Sequence, residues 1–213
     1  MFKILDEVCT PKRGTKYSAY VDLFAREDIT IGAGETKIVK LGVKIDLDKL
    51  KKILFKNSQP EFSFAPVEFQ NNMFSDWMKS HYLEVALRSS LGVKGLIISN
   101  GIGIIDLDYP DEIGLIVHNP IISIEKEVQF DKDDDYIEIY YWGVPNRKEH
   151  SGSKRFKISK GDKVAQCTLK EHKGYLMGYE SDVVRTGGFG STDNKVEAPI
   201  FDKPDFFRCN ELN

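Results

Sequence analysis

The chain has 213 residues, 41% of them hydrophobic, and carries a formal net charge of −3. That length and hydrophobic content suit one cored domain with decorations and exclude wholesale disorder. The acidic balance provides no global basic surface, which argues against non-specific nucleic-acid binding.

Strand patterns dominate the chain. A Gly32-Ala33-Gly34 turn precedes Val39, Leu41, Val43 and Ile45, which alternate with Lys40, Gly42 and Lys44. A period of two marks half-buried strands. From Asp46 to Asn57 the pattern changes: Leu47, Leu50, Ile53 and Leu54 fall on one helical face. Between Glu68 and Ser80, Phe69, Met73 and Trp77 are spaced by four, so 46–80 is predicted as a helical insert. Strand alternation returns at Leu83, Val85 and Leu87, at Ile113, Leu115 and Val117, and at Ile137, Ile139 and Tyr141. Asn100-Gly101, Tyr109-Pro110-Asp111-Glu112, Gly152 and Gly161-Asp162 are turn signals. A second insert is expected over 125–155, where an acidic run meets a hairpin-like strand. The segment 193–213 has little periodicity and reads as a terminal extension. Many short strands with regular turns predict an all-β sandwich or jelly-roll-like barrel spanning 1–192.

Cys9, Cys167 and Cys209 form no CxxC pair, and an odd number builds no disulfide framework. Reduced thiols in a cytoplasmic protein are expected. His81, His118, His150 and His172 show no zinc spacing. Met1-Phe2-Lys3 leads into a mixed segment and not a signal peptide, and no apolar run is long enough to span a bilayer. No membrane or nucleic-acid partner is expected.

Several segments carry chemistry. Arg88-Ser89-Ser90-Leu91-Gly92 ends a strand in a turn; a guanidinium fork, two hydroxyls and exposed amides make an anion cradle. An ordinary strand-end turn explains this fragment equally well. Asn100-Gly101-Ile102-Gly103 joins two apolar runs; taken alone it reads as a plain β-hairpin, although its amides suit the edge of a base. Asp106 and Asp108 share one side of a strand, and either could serve as a general base. Tyr109 then opens a turn. Gln166, after the Gly161-Asp162 turn, faces either a ligand or solvent. The glycine loop around Phe189, with Arg185 before it, would let the ring close over a ligand while Arg185 and hydroxyls reach phosphates. Asp131–Asp135 opens like a calcium loop, but Tyr136 stands at the glycine position and Trp142 where the bidentate Glu belongs. It reads as a solvated acidic turn.

The order of these segments resembles the five motifs of the trimeric dUTPases. Ala19–Ala25 is similar to A-G-x-D-L-x-A, and Leu87–Gly92 to P-R-S-S/G-L-G. Ser99–Tyr109 is similar to G-N-x-x-G-x-I-D-x-D-Y, Gly161–Gln166 to G-D/E-R-I-A-Q, and Arg185–Thr192 to R-G-x-G-G-F-G-S-T/S. Tyr20 replaces a glycine, Leu87 a proline, and the fifth motif is one residue short after Arg185. The resemblance implies an all-β, jelly-roll-like β-clip subunit with a small helical insert, assembled as a homotrimer. It implies hydrolysis of dUTP to dUMP and pyrophosphate, with Asp106 activating the attacking water. Arg88, Ser89, Ser90, Gln166, Arg185 and Ser191 are then expected at the phosphates. Asn100, Gly103 and Ile105 would read uracil, Tyr109 would pack on the sugar, and Phe189 with Gly190 would close over the base. Mg²⁺ is the implied cofactor, with Asp22 near its waters.

Two rivals remain at this point. A dCTP deaminase shares the fold but needs a catalytic Glu where this chain has Ile116. A nucleotide-switched regulatory protein would use the inserts as a surface for a protein partner.

Overall fold

Alternating side chains assemble the molecule from short antiparallel strands, which bury one face and leave the other polar. The computed structural model describes residues 1–57, 60–120, 124–130, 136–142, 155–178, 181, 185, 187 and 188; for 124–130 and 136–142 the description is of the backbone.

The strands are β1 (Phe2–Ile4), β2 (Lys12–Arg13), β3 (Val21–Phe24), β4 (Ile29–Ile31), β5 (Thr36–Lys40) and β6 (Val43–Ile45). Helices α1 (Leu47–Asn57) and α2 (Val67–Met78) follow. Then come β7 (His81–Leu87), the single-turn helix α3 (Ser89–Gly92), β8 (Ile97–Ile98), β9 (Gly103–Asp106) and β10 (Gly114–His118). The remainder is β11 (Ile124–Phe130), β12 (Tyr136–Trp142), β13 (Phe156–Ile158) and β14 (Lys163–Glu171).

A five-stranded sheet runs in the order β2-β3-β14-β7-β9, and a three-stranded sheet in the order β5-β10-β8. The pairs β1-β6, β4-β13 and β11-β12 complete the architecture. Leu23, Leu83, Val85, Ala165 and Cys167 from the larger sheet meet Val39, Leu115 and Val117 from the smaller one in a single core. Ile31, Val43 and Ile158 extend that core. The fold is all-β and jelly-roll-like, with a helical insert between β6 and β7. No described helix is long and apolar enough to cross a membrane.

Both predicted helices form within 46–80, joined by a 3-10 turn at Pro60–Phe62. Leu50, Leu54 and Phe55 of α1 and Phe74 of α2 point into the core. The hairpin of the second insert also forms, with Ile124 opposite Trp142.

Three local expectations change. The alternation from Val39 to Ile45 is not one strand: Gly42 has φ +64°, which separates β5 from β6. Its N–H is taken by the Glu112 carboxylate at 2.8 Å and its carbonyl by the Leu5 N–H at 2.8 Å. The runs on either side of Asn100-Gly101 are not a hairpin ladder either. β8 pairs with β10, whereas β9 pairs with β7, so the turn carries the chain between sheets. Finally, the Ser89-Ser90 turn winds into α3, closed by Gly92 and Val93 N–H groups on the Arg88 and Ser89 carbonyls.

Candidate active site

The five-stranded sheet has an inner face packed on the core and an outer face, and register assigns side chains to each. On β7, Leu83 and Val85 are buried, which sends Tyr82, Glu84 and Ala86 outward. Gln166 lies opposite Ala86 on one side and Asp22 on the other. Asp106 lies opposite Tyr82. Asp22, Arg88, Gln166 and Asp106, drawn from four different segments, therefore share the outer face or its rim.

Asp22 is 7% exposed. Arg88 Nε lies 3.3 Å from one of its carboxylate oxygens and Lys163 Nζ 3.1 Å from the other. Two cations on one carboxylate leave a net positive charge beside Gln166, an arrangement suited to an anion. Arg88 is anchored where its N–H donates to the Val164 carbonyl at 3.1 Å, and exposed Ser89 and Ser90 follow at once on α3. Lys163 was not singled out from the sequence, although it occupies the basic position of the fourth motif.

Asp106 sits at the end of β9 with its side chain 61% exposed. Tyr109 N–H donates to the Asp106 carbonyl at 3.0 Å, closing the turn that buries the Tyr109 ring. Burial and the nearby Asp111 push the Tyr109 phenol above its ordinary pKa. Asn100 is exposed, Ile105 half-buried and Gly103 buried. A β-carbon on Gly103 would lie 3.1 Å from the Val85 carbonyl oxygen, so this glycine serves the close approach of β9 to β7. Arg185 reaches Asp106 rather than the Arg88 cluster. Phe189, Gly190 and Ser191 lie outside the described residues, as does the 193–213 segment.

Between the two groups runs a network that sequence reasoning missed. Glu84, 8% exposed, accepts hydrogen bonds from the Tyr20 hydroxyl and from the Tyr82 hydroxyl, the latter at 3.1 Å; Lys170 Nζ lies 3.8 Å away. The Tyr20 hydrogen bond holds the Glu84 carboxyl below its usual range, and the same bond drives the Tyr20 phenol up to about 12. The only sequence signal was Tyr20 in place of a motif glycine. Burial pushes the Cys167 thiol up to about 12, which removes it from nucleophilic chemistry near neutral pH.

Among the described residues no cluster of three or more His, Cys, Asp or Glu could hold a metal ion. Asp22 is already balanced by two cations. An ion that keeps several of its own waters fits this site better than an all-protein cage.

Register also sets distance. Asp106 is opposite Tyr82, and Arg88 lies six positions further along β7, roughly 20 Å at strand spacing. Within one chain the carboxylate and the anion cradle cannot grip the same phosphate.

No family model matches the chain. The deoxyuridine 5'-triphosphate nucleotidohydrolase of Rickettsia akari is 26% identical over 189 residues, covering 85% of this chain and 86% of that protein. The Rickettsia felis enzyme of the same name is 27% identical over the same span. That of Variola virus is 29% identical over 110 residues, or 52% of this chain and 53% of its own. Among solved structures, the dUTPase from phage phi11 of S. aureus overlays with a TM-score of 0.49 at 18% identity, covering 90% of this chain and 97% of that one. The relatives aligned over most of its length are deoxyuridine 5'-triphosphate nucleotidohydrolases, or dUTPases, the family whose motif order this chain resembles.

Proposed function

We propose that the chain hydrolyses dUTP to dUMP and pyrophosphate, with Asp106 as the general base. The observation that carries this reading is the exposed Asp106 carboxylate on the same sheet face as the Asp22–Arg88–Lys163–Gln166 cluster. Asp106 takes a proton from water, the water oxygen bonds to the α-phosphorus, and the bond from that phosphorus to the bridging oxygen breaks. Pyrophosphate leaves with the electron pair. General-base assistance of this kind is worth roughly 10²–10⁴-fold. Arg88, Ser89, Ser90 and Lys163 neutralise the phosphates, and positioning with charge stabilisation supplies the remainder.

Asn100 and the backbone around Gly103 and Ile105 read uracil at the β8–β9 turn. Tyr109 packs on the sugar and crowds a 2′-hydroxyl, while Phe189 stacks on the base with Gly190 and Ser191 beside it. Mg²⁺ bound to the triphosphate would be met by Asp22 and Gln166 through water, and would supply charge neutralisation and phosphate orientation.

The separation of roughly 20 Å makes a lone chain incomplete. Asp106 of one copy works with Arg88 and Asp22 of another, as in a homotrimer whose sites lie between subunits.

Pyrophosphate release measured in parallel on dUTP, dCTP, dTTP and UTP with Mg²⁺ tests the reading. Turnover confined to dUTP is expected; ammonia release from dCTP would replace it with a deaminase. The deaminase reading lacks its acid, since Ile116 lies on β10 opposite Ile38. A second reading, compatible with catalysis, concerns the insert, which exposes Phe64 at 95%, Val67 at 70% and Phe69 at 45%. These residues offer an apolar surface for a protein partner controlled by nucleotide occupancy.

A further inference from the structure

Tyr20 immediately precedes β3, two positions before Asp22, and reaches over β14 to donate its hydroxyl to Oε1 of Glu84 on β7. Glu84 cannot turn aside from it. Tyr82 donates to the other carboxylate oxygen at 3.1 Å, and Lys170 Nζ lies 3.8 Å from Oε1. The segment between β2 and β3 otherwise closes on itself. Arg13 donates twice to the Ser18 carbonyl, at 2.9 and 2.7 Å, and the Thr15 N–H donates to the Ser18 hydroxyl at 2.8 Å. That segment flanks the anion cradle: a β-carbon on Gly14 would lie 4.0 Å from Asp22 Oδ2, the oxygen that Lys163 meets. Among the described residues, the Tyr20 hydroxyl makes the one side-chain hydrogen bond that ties residues 14–20 to a strand beyond β2.

We propose that Tyr20 and Glu84 are positioning residues for the anion cradle: their hydrogen bond fixes the start of β3 and so holds Asp22 between Arg88 and Lys163. This role rests on the cluster being the phosphate site, and it adds two residues that touch no phosphate themselves. The edge they secure is weak by itself. β2 is two residues long and β3 four, so few ladder hydrogen bonds hold the segment that joins them. With Asp22 fixed, Arg88 Nε and Lys163 Nζ each keep a partner, and their remaining donors stay free for a second anion. If Asp22 drifts with the edge, two like charges lose the carboxylate that holds them side by side. Charge alone gives Glu84 the opposite effect, because an anion on this face repels a phosphate. The benefit of Glu84 to the cradle is therefore the hydroxyl it holds and not its field.

Inorganic tripolyphosphate, titrated calorimetrically into the full chain, reads the cradle apart from catalysis, with Arg88→Ala defining its loss. Tyr20→Phe deletes only the hydroxyl, and Glu84→Leu removes the acceptor together with its charge. Each is expected to weaken tripolyphosphate binding about five- to tenfold, short of the full worth of a hydrogen bond to a charged group. Glu84→Gln keeps an acceptor oxygen for Tyr20 and is expected to bind within about twofold of wild type. On dUTP the two weakened variants should raise KM by the same factor and leave kcat within about twofold, since Asp106 is untouched. Wild-type affinity in Tyr20→Phe, or the tighter binding in Glu84→Leu that its lost charge alone would give, overturns the positioning role. So does a wild-type protein that takes up no tripolyphosphate. A failure of the dUTP reading shows instead in the substrate panel, with tripolyphosphate binding and its order across the variants intact.

Discussion

Glu84 shows how a buried charge is tolerated on this sheet. Its carboxylate is held by two phenols, Tyr20 and Tyr82, with Lys170 nearby, so the cost of burial is offset by donors on several sides. The linkage has a definite sign. The folded Glu84 pKa lies below its ordinary 4.5, so its contribution is full above that value and fades as pH falls through the folded one. Tyr20 is raised from 10.0 to about 12, so its contribution is full below 10.0 and fades as pH climbs toward 12. Thermal melting across pH is expected to give Glu84→Gln shallower acid and alkaline limbs than wild type, and superimposable profiles would contradict the network. At this scale Asp106, Arg88 and Asp22 were legible as candidates, because residue type and local motif single them out. Glu84 was not, since its Tyr20 partner is 64 positions away and only the sheet register brings them together. The Arg185 contact was hidden for the same reason, with 79 positions separating it from Asp106.

Strand breaks and crossings are fixed by interactions that periodicity does not report. The alternation Val39–Ile45 is continuous in sequence, yet Gly42 turns the chain because Glu112 and Leu5 claim its backbone and Cys9 packs against its α-carbon. Glu112 is itself held by Arg26 at 2.7 Å. Gly42→Ala would force a β-carbon into the Cys9 side chain at a left-handed φ of +64°. The expected cost is about 2–3 kcal/mol, read as a lower denaturant midpoint. An unchanged midpoint would mean that the turn relaxes freely. The β8–β9 junction makes the same point. Two apolar runs around Asn-Gly favour a hairpin locally, but Ile98 finds Val117 and Gly103 finds Val85 in different sheets. Both helices of the insert were legible because their apolar spacing is strong and their lengths suffice.

The whole molecule holds the central implication. A single sheet face carries Asp106 and the Arg88 cluster about 20 Å apart, so the proposed chemistry calls for assembly. Sequence motifs name the two halves without their separation, which emerges only when β9 and β14 are laid on either side of β7. On the proposed assignment, Asp106→Asn removes the base and Arg88→Ala weakens the phosphate cradle at the other end. Each variant alone should lose turnover on dUTP by about 10²-fold or more. Co-refolding the two in equal amounts and measuring pyrophosphate release is the most direct test of a base and a cradle contributed by different subunits. In a mixed ring, about a quarter of the sites pair an intact Asp106 with an intact Arg88, so activity should return to about a quarter of wild type. Mixtures no more active than the separate variants would contradict the shared site.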